Sequence, residues 1–169
     1  MAFINNNAKI TFPVIVTIRE LLEHRALWLY FIYDEAIKKG IDISTLAETG
    51  INKCGIYQGK DLLKNGKTDS LKGLKRNLFG VFARKVFEMK IVKSSDDELE
   101  INFHYCPLVK AWQKQNCDDE TIGKLCDIAM CGDRGIAESY NSRLEIKKTL
   151  SHKDEYCEIR FVKESGKIT

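Results

Sequence analysis

The sequence predicts an α+β fold, with helices packed on one face of a mostly antiparallel sheet built from two β-hairpins. Three observations carry that prediction. A long stretch near the start places apolar residues at helical spacing. In the middle the period drops to two, in alternating runs joined by a short polar turn. Helical and then alternating patterns follow once more before the end. The 169 residues suffice for one domain with its own core and are too few for two ordinary ones. The expected core runs from about 14 to 163, with both ends loose.

Pro13 precedes an apolar-periodic segment, Val14 to Lys39, which Gly40 terminates, so a first helix is expected there. Ile18, Leu21, Leu22, Leu29, Ile32 and Ala36 fall on one broad face, and Arg25 lies inside that stripe. Ser44 reads as the N-cap of a second helix running towards Leu63, with Glu48 countering the helix dipole. Gly50, Gly55 and Gly59 are expected to weaken it. Leu71, Leu74, Leu78 and Phe82 give a short amphipathic helix. Phe87, Met89 and Ile91, the turn Ser94–Asp97, and then Leu99, Ile101 and Phe103 give an antiparallel hairpin. Pro107 suits the first turn of a helix through Trp112. Asp118 is the expected N-cap of a helix with an inner stripe of Ile122, Leu125, Cys126 and Ala129, closed by Gly132. Leu144 and Ile146 mark a strand, and Cys157, Ile159 and Phe161 the last one, with a frayed tail from Glu164.

A net charge of +3 is low for a nucleic-acid binder, and the mildly basic stretch from Lys60 to Lys90 reads as a solvated helix face. The longest apolar run, Ala26 to Tyr33, is far short of a bilayer span, and no secretory leader is evident at Met1 to Lys9. A cytoplasmic protein is expected, without membrane or nucleic-acid partners. Its six cysteines, Cys54, Cys106, Cys117, Cys126, Cys131 and Cys157, are then free thiols, and none has a zinc-site spacing.

The residues able to carry chemistry cluster around two junctions. His104, Tyr105 and Cys106 stand where a strand hands over to a helix, and a thiol beside an imidazole can act as a nucleophile. Cys126 and Cys157 have apolar neighbours in period, so a role as small core residues competes with a pocket role. Asp127 follows Cys126, and Asp133 lies in Gly132-Asp133-Arg134-Gly135. Arg25, in an apolar stripe, needs either an internal acid or an anionic ligand, for which its planar fork is suited. Glu23 and His24 lie beside it in sequence. Trp112 and Phe103 can wall a pocket for a flat ring or serve as plain core. No motif requires a cofactor, and a divalent metal stays open.

In combination these stretches resemble a known family. Glu23-His24-Arg25-Ala26-Leu27-Trp28-Leu29-Tyr30 with Asp34-Glu35-Ala36, then Asn52-Lys53-Cys54-Gly55, are similar to the first two helices of the L-2-amino-thiazoline-4-carboxylic acid hydrolases, found in many bacteria. His104-Tyr105-Cys106-Pro107-Leu108-Val109-Lys110-Ala111-Trp112 resembles the family's most distinctive motif, and Leu125-Cys126-Asp127 with Gly132-Asp133-Arg134-Gly135 the next. Leu144 to Leu150, Asp154, Cys157-Glu158 and Phe161 complete it. One departure is Lys153-Asp154, where the family usually has glycine-aspartate.

The resemblance implies a hydrolase that opens a cyclic amidine, of the 2-amino-thiazoline-4-carboxylate type, to an N-carbamoyl amino acid. Cys106, Asp133 and His104 are then the catalytic candidates. Arg25, Glu23, Trp112, Cys126, Asp127 and Cys157 are the substrate-binding candidates, with no metal ligand assigned. The partner is a small-molecule carboxylate, and the long first helix offers a face for pairing with a copy of itself in a homodimer. The competing reading is a small-molecule-binding, even metal-binding, module of the same fold without catalysis.

Overall fold

The structure is a computed structural model and describes residues 4–164. Six helices precede and interrupt four strands: α1 Pro13–Lys38, α2 Ser44–Gly66, α3 Leu71–Leu78, α4 Val81–Val86, β1 Met89–Ser94, β2 Glu98–Phe103, α5 Pro107–Lys114, α6 Asp119–Ser139, β3 Ser142–Lys148 and β4 Cys157–Lys163. The strands form one antiparallel sheet in the order β1-β2-β4-β3. The fold is therefore α+β, as the alternating patterns indicate.

The sheet has one apolar and one polar face. Register sets Leu99 opposite Phe161, Ile101 opposite Ile159 and Phe103 opposite Cys157. These side chains meet Leu71, Leu74, Phe79, Ile136 and Tyr140 in one core cluster. On the other face Arg160 bonds Glu98 at 2.6 Å and Glu145 at 2.9 Å. A second core cluster joins Ala26 and Tyr33 of α1 to Val109 and Trp112 of α5 and to Ile122, Leu125 and Cys126 of α6.

Several elements differ from the sequence expectation, each for a local reason. Helix α6 does not end at Gly132 but runs on to Ser139. Nor do the glycines of α2 break it: Gly55 lies against the α6 backbone at Gly132, Gly59 lies against Ser139 and Ile136 of α6, and Gly50 meets nothing. A Cβ on Gly55 would stand 2.0 Å from the Gly132 carbonyl oxygen, and one on Gly135 would stand 2.3 Å from that of Asn52. Ser44 is the first residue of α2 rather than its cap, and the Asp42 carboxylate accepts from its amide at 2.9 Å. The expected helix over Leu71–Phe82 is two helices, broken at Phe79 and Gly80. Strand β1 starts at Met89, after Phe87 ends α4 and Glu88 adopts φ 50.

Helix α1 buries a different face from the one expected. Ile15, Arg19, Ala26 and Tyr33 point inward, while Leu21 and Ile32 are 67% and 63% exposed. The buried arginine of this helix is thus Arg19, not Arg25. Its guanidinium donates to the carbonyls of Val86, Ile10 and Lys85, pairs with Glu88 at 3.1 Å and lies 4.2 Å from the centre of the Tyr105 ring. Every polar demand of a buried cation is met there, which leaves it structural. Glu88 in turn accepts from the amides of Lys9 and Ile10. Within the N-terminal arm Ile4 and Asn6 are buried, while Asn5, Asn7, Ala8 and Lys9 are exposed. Of the expected frayed tail, all but Glu164 lies outside the described residues.

The crossing of α2 and α6 makes a clear forecast. Gly135→Ala forces the two backbones apart and is expected to lose about 2–3 kcal/mol in urea unfolding, as overpacked cores do. Gly50→Ala, where an added Cβ meets nothing within 4 Å, is expected to gain about 0.5–1 kcal/mol from helix propensity. Equal effects at the two positions would show that the glycines do not set the helix spacing.

Candidate functional site

Where the two core clusters meet they leave a cavity of about 270 Å³. Its walls are mostly hydrocarbon and aromatic: Leu22 from α1, Phe79 and Ala83 from the α3–α4 region, Phe87, Met89 and Phe103 at the sheet end, and Leu108, Val109 and Trp112 from α5. Helix α6 supplies Cys126, Ala129, Met130, Asp133 and Ile136, at spacings of one helical face. Polar or reactive groups on the lining are few: Arg25, Gln58, Asp133 and the thiols of Cys106, Cys126 and Cys157. An apolar hollow with a small number of converging polar groups is the usual form of a ligand site.

Asp133 is the unusual member of that set. It occupies the turn of α6 between the two glycines that contact α2, so the close helix crossing sinks it among apolar neighbours. The surface that it keeps borders the cavity. Burial raises its carboxyl group from the ordinary value to about 6, although the nearby guanidinium groups of Arg25 and Arg134 pull the other way. Among the described residues Arg25 makes no ion pair within 4 Å. It is an exposed residue whose side chain reaches the cavity wall, rather than the buried cation its sequence position suggests. A carboxylate and a guanidinium thus face one small volume without neutralising each other.

The three thiols are held in their neutral form. Burial pushes Cys106 far up, and the neighbouring sulfurs of Cys157 and Cys126 add to the shift. Burial likewise pushes Cys157 to about 12, opposed by the Leu150 amide, which donates to its sulfur at 3.3 Å. Cys126 is raised for the same reason, opposed by the Ser151 hydroxyl. Among the described residues no three His, Cys, Asp or Glu side chains are grouped so as to hold a metal ion.

The structure brings together Arg25, Trp112, Cys106, Cys126, Asp133 and Cys157. It does not bring in the other three candidates. The His104 ring packs against Tyr156 with centroids 5.3 Å apart, away from the cavity lining. Glu23 pairs with Lys114. Asp127 is exposed on the outer face of α6. Trp112 has a bracing role as well, donating from Nε1 to the Ala26 carbonyl at 3.1 Å.

Two contributors were not singled out by the sequence. Gln58 of α2 reaches the cavity from the residue before Gly59, with no pattern to mark it. Asn6 clamps the Cys106 peptide, accepting from its amide at 2.8 Å and donating to its carbonyl at 2.9 Å. A short Asn-rich run before the first helix was the only signal for it.

A family model described as L-2-amino-thiazoline-4-carboxylic acid hydrolase matches residues 19–161. No curated protein matches the sequence. Among solved structures, the chain is similar to trafficking protein particle complex subunit 3 from Naegleria fowleri, covalently bound to palmitic acid. The TM-score is 0.56 at 19% identity, over 85% of this chain and 95% of that one. At that identity the likeness is one of fold.

The raised carboxyl of Asp133 has a measurable cost. The folded state holds this proton more tightly than the unfolded one, so stability falls as pH rises from about 4 through 6 and the penalty is complete above that window. Asp133→Asn removes the penalty. Relative to the parent it is expected to gain about 1–2 kcal/mol at pH 7.5, allowing for the part-exposed side chain, and nothing at pH 3.5. Urea unfolding at the two pH values checks this, and a gain independent of pH would refute it.

Proposed function

The chain belongs to the L-2-amino-thiazoline-4-carboxylic acid hydrolase family, and we propose that it opens a cyclic amidine of the 2-amino-thiazoline-4-carboxylate class by direct addition of water. The observation that carries this reading is the placement of Asp133 and Arg25 on one cavity with neutral thiols around them. Such a substrate carries a carboxylate and a basic amidine on a small ring. Arg25 offers its planar fork to the carboxylate. Asp133 accepts from the amidine and, with an ionisation near 6, works close to neutral pH as a general base.

In this scheme the ionised Asp133 takes a proton from water as its oxygen adds to the ring carbon between sulfur and nitrogen. The substrate amidine is protonated and already carries the hydrogen on its ring nitrogen, so when the carbon–sulfur bond breaks the proton held on Asp133 passes to the departing sulfur and the hydroxyl proton of the adduct is lost to solvent as the carbonyl forms. One water is consumed, and an N-carbamoyl amino acid with a free thiol results. A thiolate attack by Cys106 is the less favoured route. Burial holds that thiol neutral, and His104, the base once expected to assist it, packs on Tyr156 instead. The cysteines then serve as compact apolar lining beside a sulfur heterocycle.

A second reading is binding of an apolar molecule without turnover. It rests on the hydrocarbon walls, which are more extensive than a small polar ring requires. An acyl chain suits them, and the trafficking subunit of similar fold is covalently bound to palmitic acid.

Release of free thiol from 2-amino-thiazoline-4-carboxylate tests the choice. Asp133→Asn is expected to lower kcat at least about 100-fold, the usual worth of a general base. Arg25→Gln is expected to raise KM about tenfold with a smaller effect on kcat. Cys106→Ala is expected to keep most of the turnover. The parent kcat/KM is expected to fall about tenfold per unit below pH 6, as Asp133 takes up its proton. Thioester formation at Cys106 with a fatty acyl donor, and no thiol release, would favour the second reading.

A further inference from the structure

The basic stretch from Lys60 to Lys90 is largely solvent-exposed, as its sequence suggests, and part of it surrounds a cleft. The end of α2, helix α3 and the start of α4 enclose a cleft of about 680 Å³, separate from the cavity above although Phe79 walls both. Lys67, Lys72, Lys75, Arg76 and Arg84 line it, against a single acid, Asp96.

Two facts distinguish this cleft from an ordinary charged surface. The other lysines and arginines around the sheet and along α1 are widely engaged in ion pairs: Arg19, Lys38, Lys93, Arg143, Lys147, Arg160 and Lys163 all have carboxylate partners. None of the five cleft cations pairs with a carboxylate among the described residues. In addition, Arg84 Nε is buried and has no hydrogen-bond partner among the described residues. An unsatisfied buried donor on a cation is costly, and proteins rarely keep one without a use.

We propose that this cleft binds a phosphoryl group carried on a larger molecule. Five cations around one acid call for a multiply charged anion, and a single carboxylate would leave most of them unanswered. The guanidinium groups of Arg76 and Arg84 match the geometry of phosphate oxygens, and lysines add point charge. The cleft has room beyond the phosphate itself, so the ligand is a phosphorylated metabolite or a phospholipid headgroup, which share that chemistry. No role in ring opening is involved, because Arg25 and Asp133 line the other cavity.

Two probes separate the sources: inorganic pyrophosphate in calorimetry, and phosphatidylcholine vesicles with or without phosphatidylinositol 4-phosphate in sedimentation. Each is applied to the full chain and to Arg84→Gln, Lys75→Gln and Asp133→Asn. One-to-one binding of pyrophosphate, weakened about tenfold by Arg84→Gln and by Lys75→Gln but not by Asp133→Asn, supports the free-phosphate source. Binding confined to the phosphoinositide vesicles, with the same pattern across variants, supports the headgroup. Lys75→Gln, on a helix surface, keeps the test valid if Arg84→Gln fails to fold. The proposal is overturned if neither probe binds, or if binding is indifferent to both cleft variants. RNA oligomers that bind more tightly with length and ignore both substitutions would likewise overturn it, marking a diffuse basic face.

Discussion

The close approach of α2 and α6 is the constraint on which the rest of the molecule depends. Glycines at 55, 59 and 135 let two helical backbones meet where a Cβ would collide with a carbonyl or a neighbouring side chain, and the carbonyl that a Cβ on Gly55 would strike is that of Gly132. That contact fixes how deeply α6 sinks into the fold, and with it the position of every side chain on its inner face. Cys126, Met130, Asp133 and Ile136 are carried to the seam between the two core clusters as a unit. Tight packing of this kind is unforgiving, because backbone atoms cannot rotate away as side chains can.

The electrostatics follow from that geometry. A carboxyl group set in a hydrocarbon wall prefers its proton, and the guanidinium of Arg25 only partly restores the charge. The two arginines of α1 show how placement decides role. Arg19 is fully satisfied by three carbonyls and Glu88 and does nothing but hold α4 and the N-terminal arm in place. Arg25, nearly two turns further along, has no such partners among the described residues and faces the cavity. Reacting groups that conflict with their surroundings are commonly found at functional sites, whereas satisfied ones are commonly structural.

Much of the fold is legible in the sequence because it rests on local periodicity. The hairpin of β1 and β2, the strand from Cys157, the Pro107 start of α5 and the Asp118 cap of α6, which accepts from Thr121 at 2.8 Å, all follow from short-range rules. The misread elements have non-local causes. Gly132 reads as a helix end by propensity, and only the partner helix reveals it as a packing site. Continuing α6 through it would have shown Asp133 inside an apolar stripe, which is a stronger signal than its place in a supposed loop. For α1, apolar residues on two faces hide the narrower face that is buried. His104 follows the motif, yet the sheet edge turns its ring to Tyr156, a contact that no spacing predicts.

What remains central is one carboxyl group kept close to neutrality by its burial. Carbon-13 NMR of aspartate-labelled protein, with the Asp133 signal identified by its loss in Asp133→Asn, follows that proton directly. A titration midpoint close to the value of about 6 is expected, rising when Arg25→Gln removes the opposing charge. A midpoint near 4, the value of an ordinary solvated carboxylate, would contradict the picture of Asp133 as a group tuned by the helix crossing.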